Sequence, residues 1–232
     1  EAVLDVVYNP FKTELVQRAG ELGVTAAGGL EMLVAQAVYA ARLFTGQEIP
    51  EKCIDPVFRS IWADRANIVL VGMPSSGKTT IGRMLAKALD KRFVDLDTEI
   101  ERASGQSVPS IFETQGEAGF RRWEQRVAGR FAKESGQVLS CGGGVVKTAA
   151  NVRALRRNGV VLFIDRPVEK LRVGGSRPLS TDREALERMA AQRGPLYRAA
   201  ADITVDNSGE PFARAAAAAK EAICAYFGIE RP

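Results

Sequence analysis

Residues 71–82 read "VGMPSSGKTTIG": a glycine, four residues, then Gly-Lys-Thr, placed directly after the apolar run "NIVLV". Gly72 and Gly77 permit backbone turns that aim successive N–H groups inward, and a helix beginning near Lys78 adds roughly half a positive charge at its N-terminus. Such a loop is an anion cradle. Lys78 reaches the outer phosphates of a nucleotide as a point charge, and the Thr79 hydroxyl is placed to ligate Mg²⁺. The plainer alternative is an ordinary glycine turn between strand and helix. Two glycines, a lysine and a threonine at set spacing after a strand favour the phosphate reading, but they do not name the acceptor.

Five further stretches bear on the acceptor. In "RFVDLDTEIE", Asp95 and Asp97 lie two apart at the end of an expected strand and so project to the same side. One carboxylate can hold Mg²⁺ through its water shell while the other orients or deprotonates an acceptor hydroxyl. A solvated strand end, with Asp97 capping the next helix, is the other reading. "GEAGFRRWE" places Arg121, Arg122 and Glu124 on a charged helix, which alone reads equally as a solvated face with weak surface pairs. "VLSCGGGVV" puts Gly142, Gly143 and Gly144 straight after a strand, where a ligand can approach the backbone closely, or where the chain simply hinges. "RVGGSRPLS" is a basic, glycine-containing loop, and "AQRGPLYR" supplies Arg193. A mobile loop with an arginine suits a kinase lid, which excludes water and neutralises the transferred phosphoryl group.

The elements that must position these residues follow from the pattern of the chain. From Asn67 onward, short β-branched runs near 67–71, 92–95, 137–140, 159–164 and 202–205 alternate with helical stretches, which argues for a parallel sheet covered on both faces. Ligand sites in such sheets lie beyond the carboxyl ends of the strands. Upstream, "VLDVVY" reads as a strand, Glu14 to Gly20 and Leu30 to Phe44 as helices, and Gly46 as a stop signal. Residues 47–66, with two prolines and mixed charge, read as a connector with one short helix around Val57 to Trp62. The terminal "ARAAAAAKEAICAYF" is a strong helix former.

Composition bounds the chemistry. The 232 residues, 46% hydrophobic, are enough for one large domain or one plus a fragment. The net charge of +4 comes from 32 basic and 28 acidic residues without a basic block, which suits a small anionic substrate better than nucleic acid. Cys53, Cys141 and Cys224 lie far apart without metal-ligand spacing, which suits a reducing, cytoplasmic setting. The apolar runs are short, so no membrane partner is expected. The complete lack of histidine excludes imidazole bases, histidine triads and histidine zinc sites, leaving carboxylates, arginines, lysine and backbone.

Together, "GMPSSGKTTIGRMLA", "DLDTEIE", "IFETQGEAGFRRWE", "SCGGGVV", "RPL" and "QRGPLYR" make residues 67–232 resemble shikimate kinase, in family order and at near-family spacing. The resemblance implies an α/β fold, P-loop and nucleoside-monophosphate-kinase-like, with a five-stranded parallel sheet flanked by helices. It also implies transfer of the γ-phosphoryl of ATP to the 3-hydroxyl of shikimate. On this resemblance Gly72, Ser75, Ser76, Gly77, Lys78, Thr79 and Thr80 hold the nucleotide, and Thr79 and Asp95 serve Mg²⁺. Asp97 binds the acceptor hydroxyls as a possible base, and Arg121, Arg193 and Gly142 to Gly144 hold the shikimate carboxylate and ring. Arg177 is the lid arginine, and "VDNSGEP" matches the loop beside adenine. Arginine forks suit a carboxylate because they bind it in a bidentate, directional way. Against the family pattern, Ser75 replaces a glycine, Ser180 replaces a leucine, and the segment from Arg172 to Arg177 is about two residues short.

Residues 1–50 have a separate resemblance, to the C-terminal end of shikimate dehydrogenase, in which Gln36 matches a shikimate-contacting residue. That family's catalytic Lys and Asp and its nicotinamide loop lie upstream of the matching part, so dehydrogenase activity is not expected of this chain. The expected organisation is a dehydrogenase remnant at 1–50, a linker at 51–66 and a kinase domain at 67–232, cut from a longer fused parent. Two other readings stay open. A different small-molecule P-loop kinase, such as a gluconate kinase, would lack the arginine pair with Gly142 to Gly144. A non-catalytic nucleotide-binding module would lose Asp97, Arg121 or Arg193.

Overall fold

The computed structural model describes residues 1–172 and 182–229. In chain order its elements are β1 (Ala2–Leu4), α1 (Glu14–Glu21), β2 (Thr25–Ala27), α2 (Gly29–Thr45), α3 (Ile54–Arg65), β3 (Asn67–Val71), α4 (Lys78–Ala88), β4 (Arg92–Asp95), α5 (Leu96–Ser104), α6 (Val108–Phe131), β5 (Gln137–Ser140), α7 (Ala149–Arg156), β6 (Gly159–Asp165), α8 (Arg183–Ala200), β7 (Ile203–Asp206) and α9 (Phe212–Phe227).

The five strands from β3 onward form one all-parallel sheet in the order β4-β5-β3-β6-β7. Alternation along β3 divides the core in two. Val69 and Val71 point to one face, with Leu139, Val161 and Phe163, while Ile68 and Leu70 point to the other, with Val138, Val160 and Leu162. Every residue of β3 is buried, as a strand covered on both faces requires. The register is pinned at the amino edge by Asn67, whose Nδ2 donates to Glu134 O at 2.8 Å and whose Oδ1 accepts the Gln137 N–H at 3.0 Å. Helix α4 lies close on the sheet at Gly82, where a Cβ would come within 2.8 Å of Leu70. Side-chain caps set helix starts: Asp95 accepts the Asp97 N–H at 3.1 Å, and Asp182 accepts the Ala185 N–H at 2.7 Å.

All five strand positions agree with the sequence pattern, with one-residue differences at β6 and β7. The N-terminal part differs in three places, one of them the unexpected strand β2, which pairs parallel with β1. The expected "VLDVVY" strand ends at Leu4, because the Asp5 carboxylate accepts the Val7 N–H at 3.0 Å and the Thr13 hydroxyl at 2.5 Å, which turns the chain. The expected short helix around 57–62 is the longer α3, preceded by a 3₁₀ turn at Glu51–Cys53. Pro56 is accommodated in the first helical turn, where no intrahelical N–H is needed.

Helix α3 packs on α9, with the Trp62 ring edge-on to Phe227 at 5.0 Å between centroids. The N-terminal segment meets this same end of the molecule. The Phe11 N–H donates to Asn158 Oδ1 at 3.0 Å and the Lys12 N–H to Arg157 O at 2.9 Å, while Phe11 packs against the core cluster under α3 and α9. Asn158 immediately precedes β6, so this contact lies at the amino ends of the strands. Among the described residues, no helix is long and apolar enough to cross a membrane.

Candidate functional site

The carboxyl ends of β3, β4 and β5 open into a cavity of about 650 Å³. The loop after β3 is wound by positive φ at Gly72 (147°), Ser75 (64°) and Gly77 (92°). Gly72 needs this freedom twice over, since a Cβ there would also lie 2.6 Å from Ile164 O. Ser75 tolerates the left-handed conformation although it carries a side chain, and its hydroxyl lies 3.5 Å from Arg172 O. Gly77 caps α4 in the left-handed region, so the helix N-terminus faces the cavity.

Lys78 is 8% exposed, and its ammonium donates to Gly72 O at 2.9 Å and Met73 O at 2.8 Å. Its charge is therefore folded back over the loop that surrounds it. Ser75, Gly77, Lys78, Thr79 and Thr80 line the cavity. Ser76 and Gly72 do not. Ser76 is buried, its N–H donates to Met73 O at 3.2 Å, and its carbonyl accepts from Asn207 Nδ2 at 2.8 Å. It ties the loop to the segment after β7.

Thr79 Oγ1 donates to Asp95 Oδ2 at 2.9 Å and lies 3.4 Å from Ser140 Oγ. This gathers hydroxyl and carboxylate oxygens at the first turn of α4, a hard donor set suited to Mg²⁺. Asp97 lines the same cavity, not from the strand as expected, since β4 ends at Asp95, but from the first turn of α5. A Cβ at Gly142 would sit 2.7 Å from Asp97 Oδ1, so the glycine leaves room for that carboxylate.

Helix α6 carries the next group. Gly116 interrupts it with φ 66° and ψ −177°, a kink that separates its first two turns from the helix bearing Arg121. Arg121 Nη1 donates to both oxygens of Glu124 at 2.8 Å, and Nη2 donates to Glu117 Oε1 at 3.1 Å. Glu124 is 2% exposed, and burial pushes its carboxyl above the ordinary range against the pull of Arg121. The Arg121 guanidinium lies against Gly144, where a Cβ would run into it. Arg122 is exposed and outside the cavity.

From α8, Arg193 Nη1 donates to Gly143 O at 3.0 Å, and the Tyr197 hydroxyl donates to the same carbonyl. Burial raises the Tyr197 hydroxyl to about 12, so it stays a donor at neutral pH. Arg166 completes the far wall, with Nη1 donating to Asn207 O at 3.0 Å, Nη2 paired with Glu210 at 2.7 Å, and its guanidinium 5.1 Å from the Phe212 ring centre. Cys141 lies deep in the wall, and burial pushes its thiol far up, so it is inert.

The cavity thus brings together Asp95, Asp97, Arg121, Gly142, Gly143, Gly144 and Arg193 with the loop residues. Arg177 and Ser180 lie outside the described residues. Sequence reasoning missed Arg166 and Tyr197, included Asn207 only within the "VDNSGEP" loop, and saw in Glu124 only a surface partner. The signals available were the Arg121–Glu124 spacing of three and the Arg193–Tyr197 spacing of four, each of which puts both side chains on one helix face.

The family model for shikimate kinase matches residues 74–224, and that for the shikimate 5'-dehydrogenase C-terminal domain matches residues 29–55. A shikimate kinase of Aromatoleum aromaticum is 47% identical over 152 residues, covering 62% of this chain and 87% of that protein. The structure of a shikimate kinase from Acinetobacter baumannii in complex with shikimate is 33% identical, with a TM-score of 0.66, covering 73% of this chain and 97% of that one. A shikimate kinase from Aquifex aeolicus is 29% identical, with a TM-score of 0.60, covering 68% and 95%.

Proposed function

The chain belongs to the shikimate kinase family, and on that footing we propose that the residues around the cavity carry ATP-dependent phosphorylation of shikimate. The observation that supports this reading most directly is the meeting of Asp97, Arg121, Arg193 and the glycine triplet within one cavity with the phosphate loop. A hydroxy acid is matched on its carboxylate by the arginines and on its ring hydroxyls by Asp97, with the phosphate loop as the opposite wall.

In this assignment the backbone N–H groups at the start of α4 and the Lys78 ammonium hold the ATP phosphates. The shikimate 3-hydroxyl attacks the γ-phosphorus, the bond from that phosphorus to the ADP oxygen breaks, and the hydroxyl proton passes to Asp97. ADP and shikimate 3-phosphate result. Positioning and charge neutralisation supply most of the rate in such a transfer, and Arg177 is assigned to the second of these tasks. Thr79 and Asp95, with their oxygens already gathered, are the residues that would hold Mg²⁺. The ion would add charge neutralisation at the phosphates.

Residues 67–232 are assigned as the kinase domain and 1–50 as a dehydrogenase remnant joined through 51–66, the parent being a dehydrogenase–kinase fusion. No residue before Pro74 lines the cavity. ADP release measured with shikimate, with gluconate and without acceptor tests the reading: stimulation by shikimate alone supports it, and equal rates in all three arms would sink it.

A further inference from the structure

Arg121 offers a carboxylate two bidentate edges, and neutral geometry favours one carboxylate per edge. Glu117 Oε1 sits on the side edge, 3.3 Å from Nε and 3.1 Å from Nη2. Glu124 takes Nη1 with both its oxygens. A substrate carboxylate that needs two parallel N–H donors must therefore exchange with a resident glutamate.

The two residents are not equivalent. The Glu124 side chain is 2% exposed, with Asn151 Nδ2 3.5 Å from its other side, so expelling it would strand a buried charge. Glu117 is 40% exposed, close to water, and holds a second cation: Lys147 Nζ lies 2.6 Å from the same Oε1. It also follows Gly116, where the positive φ breaks the helix and leaves the first residue after it free of the regular ladder.

We propose that Glu117 is a positioning residue that competes with the substrate carboxylate, holding the side edge of Arg121 until that carboxylate replaces it, and that Lys147 keeps the displaced Glu117 paired. An acceptor without a carboxylate gains nothing from this exchange and leaves the clasp closed. The affinity for shikimate is lowered by the fraction of time Glu117 holds the edge. An exposed ion pair of this kind corresponds to about a two- to fivefold effect.

The inference rests on the shikimate reading, and wild-type turnover separates the two: without shikimate-stimulated ADP release, that reading itself fails. Steady-state kinetics at saturating ATP, with shikimate binding measured by calorimetry, then tests Glu117 and Lys147. E117Q should lower the shikimate KM and Kd about threefold, with kcat moving less, and E117D should return both toward wild type. K147M should shift them the opposite way, because Glu117 then depends on Arg121 alone, and the E117Q/K147M pair should follow E117Q. An unchanged or higher KM in E117Q, or a KM at or below wild type in K147M, would overturn the proposal. Should E117Q fold poorly, the sign of the K147M effect still decides.

Discussion

Arg121 and Glu124, three residues apart on one face of α6, are joined by two 2.8 Å hydrogen bonds from a single nitrogen, Nη1, to both carboxylate oxygens. The glutamate is almost wholly buried, so it cannot reorient toward water. It holds the guanidinium over Gly144 and leaves the rest of the fork for other carboxylates. A helix pair that reads on paper as a surface bridge is thereby part of the cavity wall.

Arg121→Ala and Arg193→Ala should each weaken shikimate binding by about 2 to 5 kcal/mol, the range for removing one side of a desolvated charge pair. ATP binding should survive. Calorimetry with each ligand separates the cases: equal loss of both ligands means misfolding, and unaltered shikimate affinity would remove the arginine from the site.

Lys78→Ala should reduce turnover by about a hundredfold or more, since it removes a preorganised positive charge from the phosphate loop. Near-normal ADP release from a folded variant would refute the loop assignment.

Gly144→Ala should raise the shikimate KM without unfolding the protein. Its φ of −107° suits alanine, but the new methyl meets the Arg121 guanidinium, a movable group that must shift out of place. Gly129→Ala, where nothing lies within 4 Å, serves as the control and should leave KM alone. Equal KM values in the two variants would count against the placement of Arg121.

Lys91 gives a pH signature. Its ammonium donates to Ala66 O at 3.0 Å and to Asp64 O, at the end of α3, and burial lowers its pKa from 10.5 to about 8. Between those values the unfolded chain holds a proton that the folded chain has released, so this residue makes stability rise with pH from about 8 to 10.5. The difference in denaturant stability between wild type and Lys91→Met should grow across that window. A flat difference would mean that Lys91 titrates normally.

Removal of residues 1–49 should leave shikimate-dependent turnover in place, because the lost contacts lie at the amino ends of the strands. A cut at residue 60 would instead bisect α3 and lose the Phe58–Trp62 stacking. Trp62→Ala should cost about 3 kcal/mol, the low end for truncating a packed aromatic residue. Thermal melts and ADP release on the same samples distinguish lost stability from lost chemistry.

The sheet was legible because its strands are short, β-branched runs bounded by turns, buried on both faces, with little else they could become. Asp95 and Asp97 were legible as a pair of carboxylates near the phosphate loop, but not by strand period-two geometry: β4 ends at Asp95, which caps α5, and Asp97 lies in that helix's first turn. Helix α3 was not, since Pro56 and mixed charge imitate a connector and only the partner surface on α9 makes the helix worthwhile. Glu124 and Tyr197 were hidden for a similar reason: helical spacing tells which side chains share a face, but not that the face is buried against a glycine carbonyl or a cavity. Ser76 is a motif residue whose burial the spacing does not reveal, its carbonyl accepting from Asn207.

The N-terminal segment and the cavity occupy opposite ends of a sheet whose central strand has five residues, a separation of at least roughly 16 Å at strand rise. A fluorophore or affinity handle joined to an exposed side chain of that segment, such as Glu21, therefore has a route to bulk solution that does not cross the cavity mouth. Immobilised through that face, the protein presents its ligand-facing side outward, an orientation suited to biosensor capture and to single-molecule observation of nucleotide exchange.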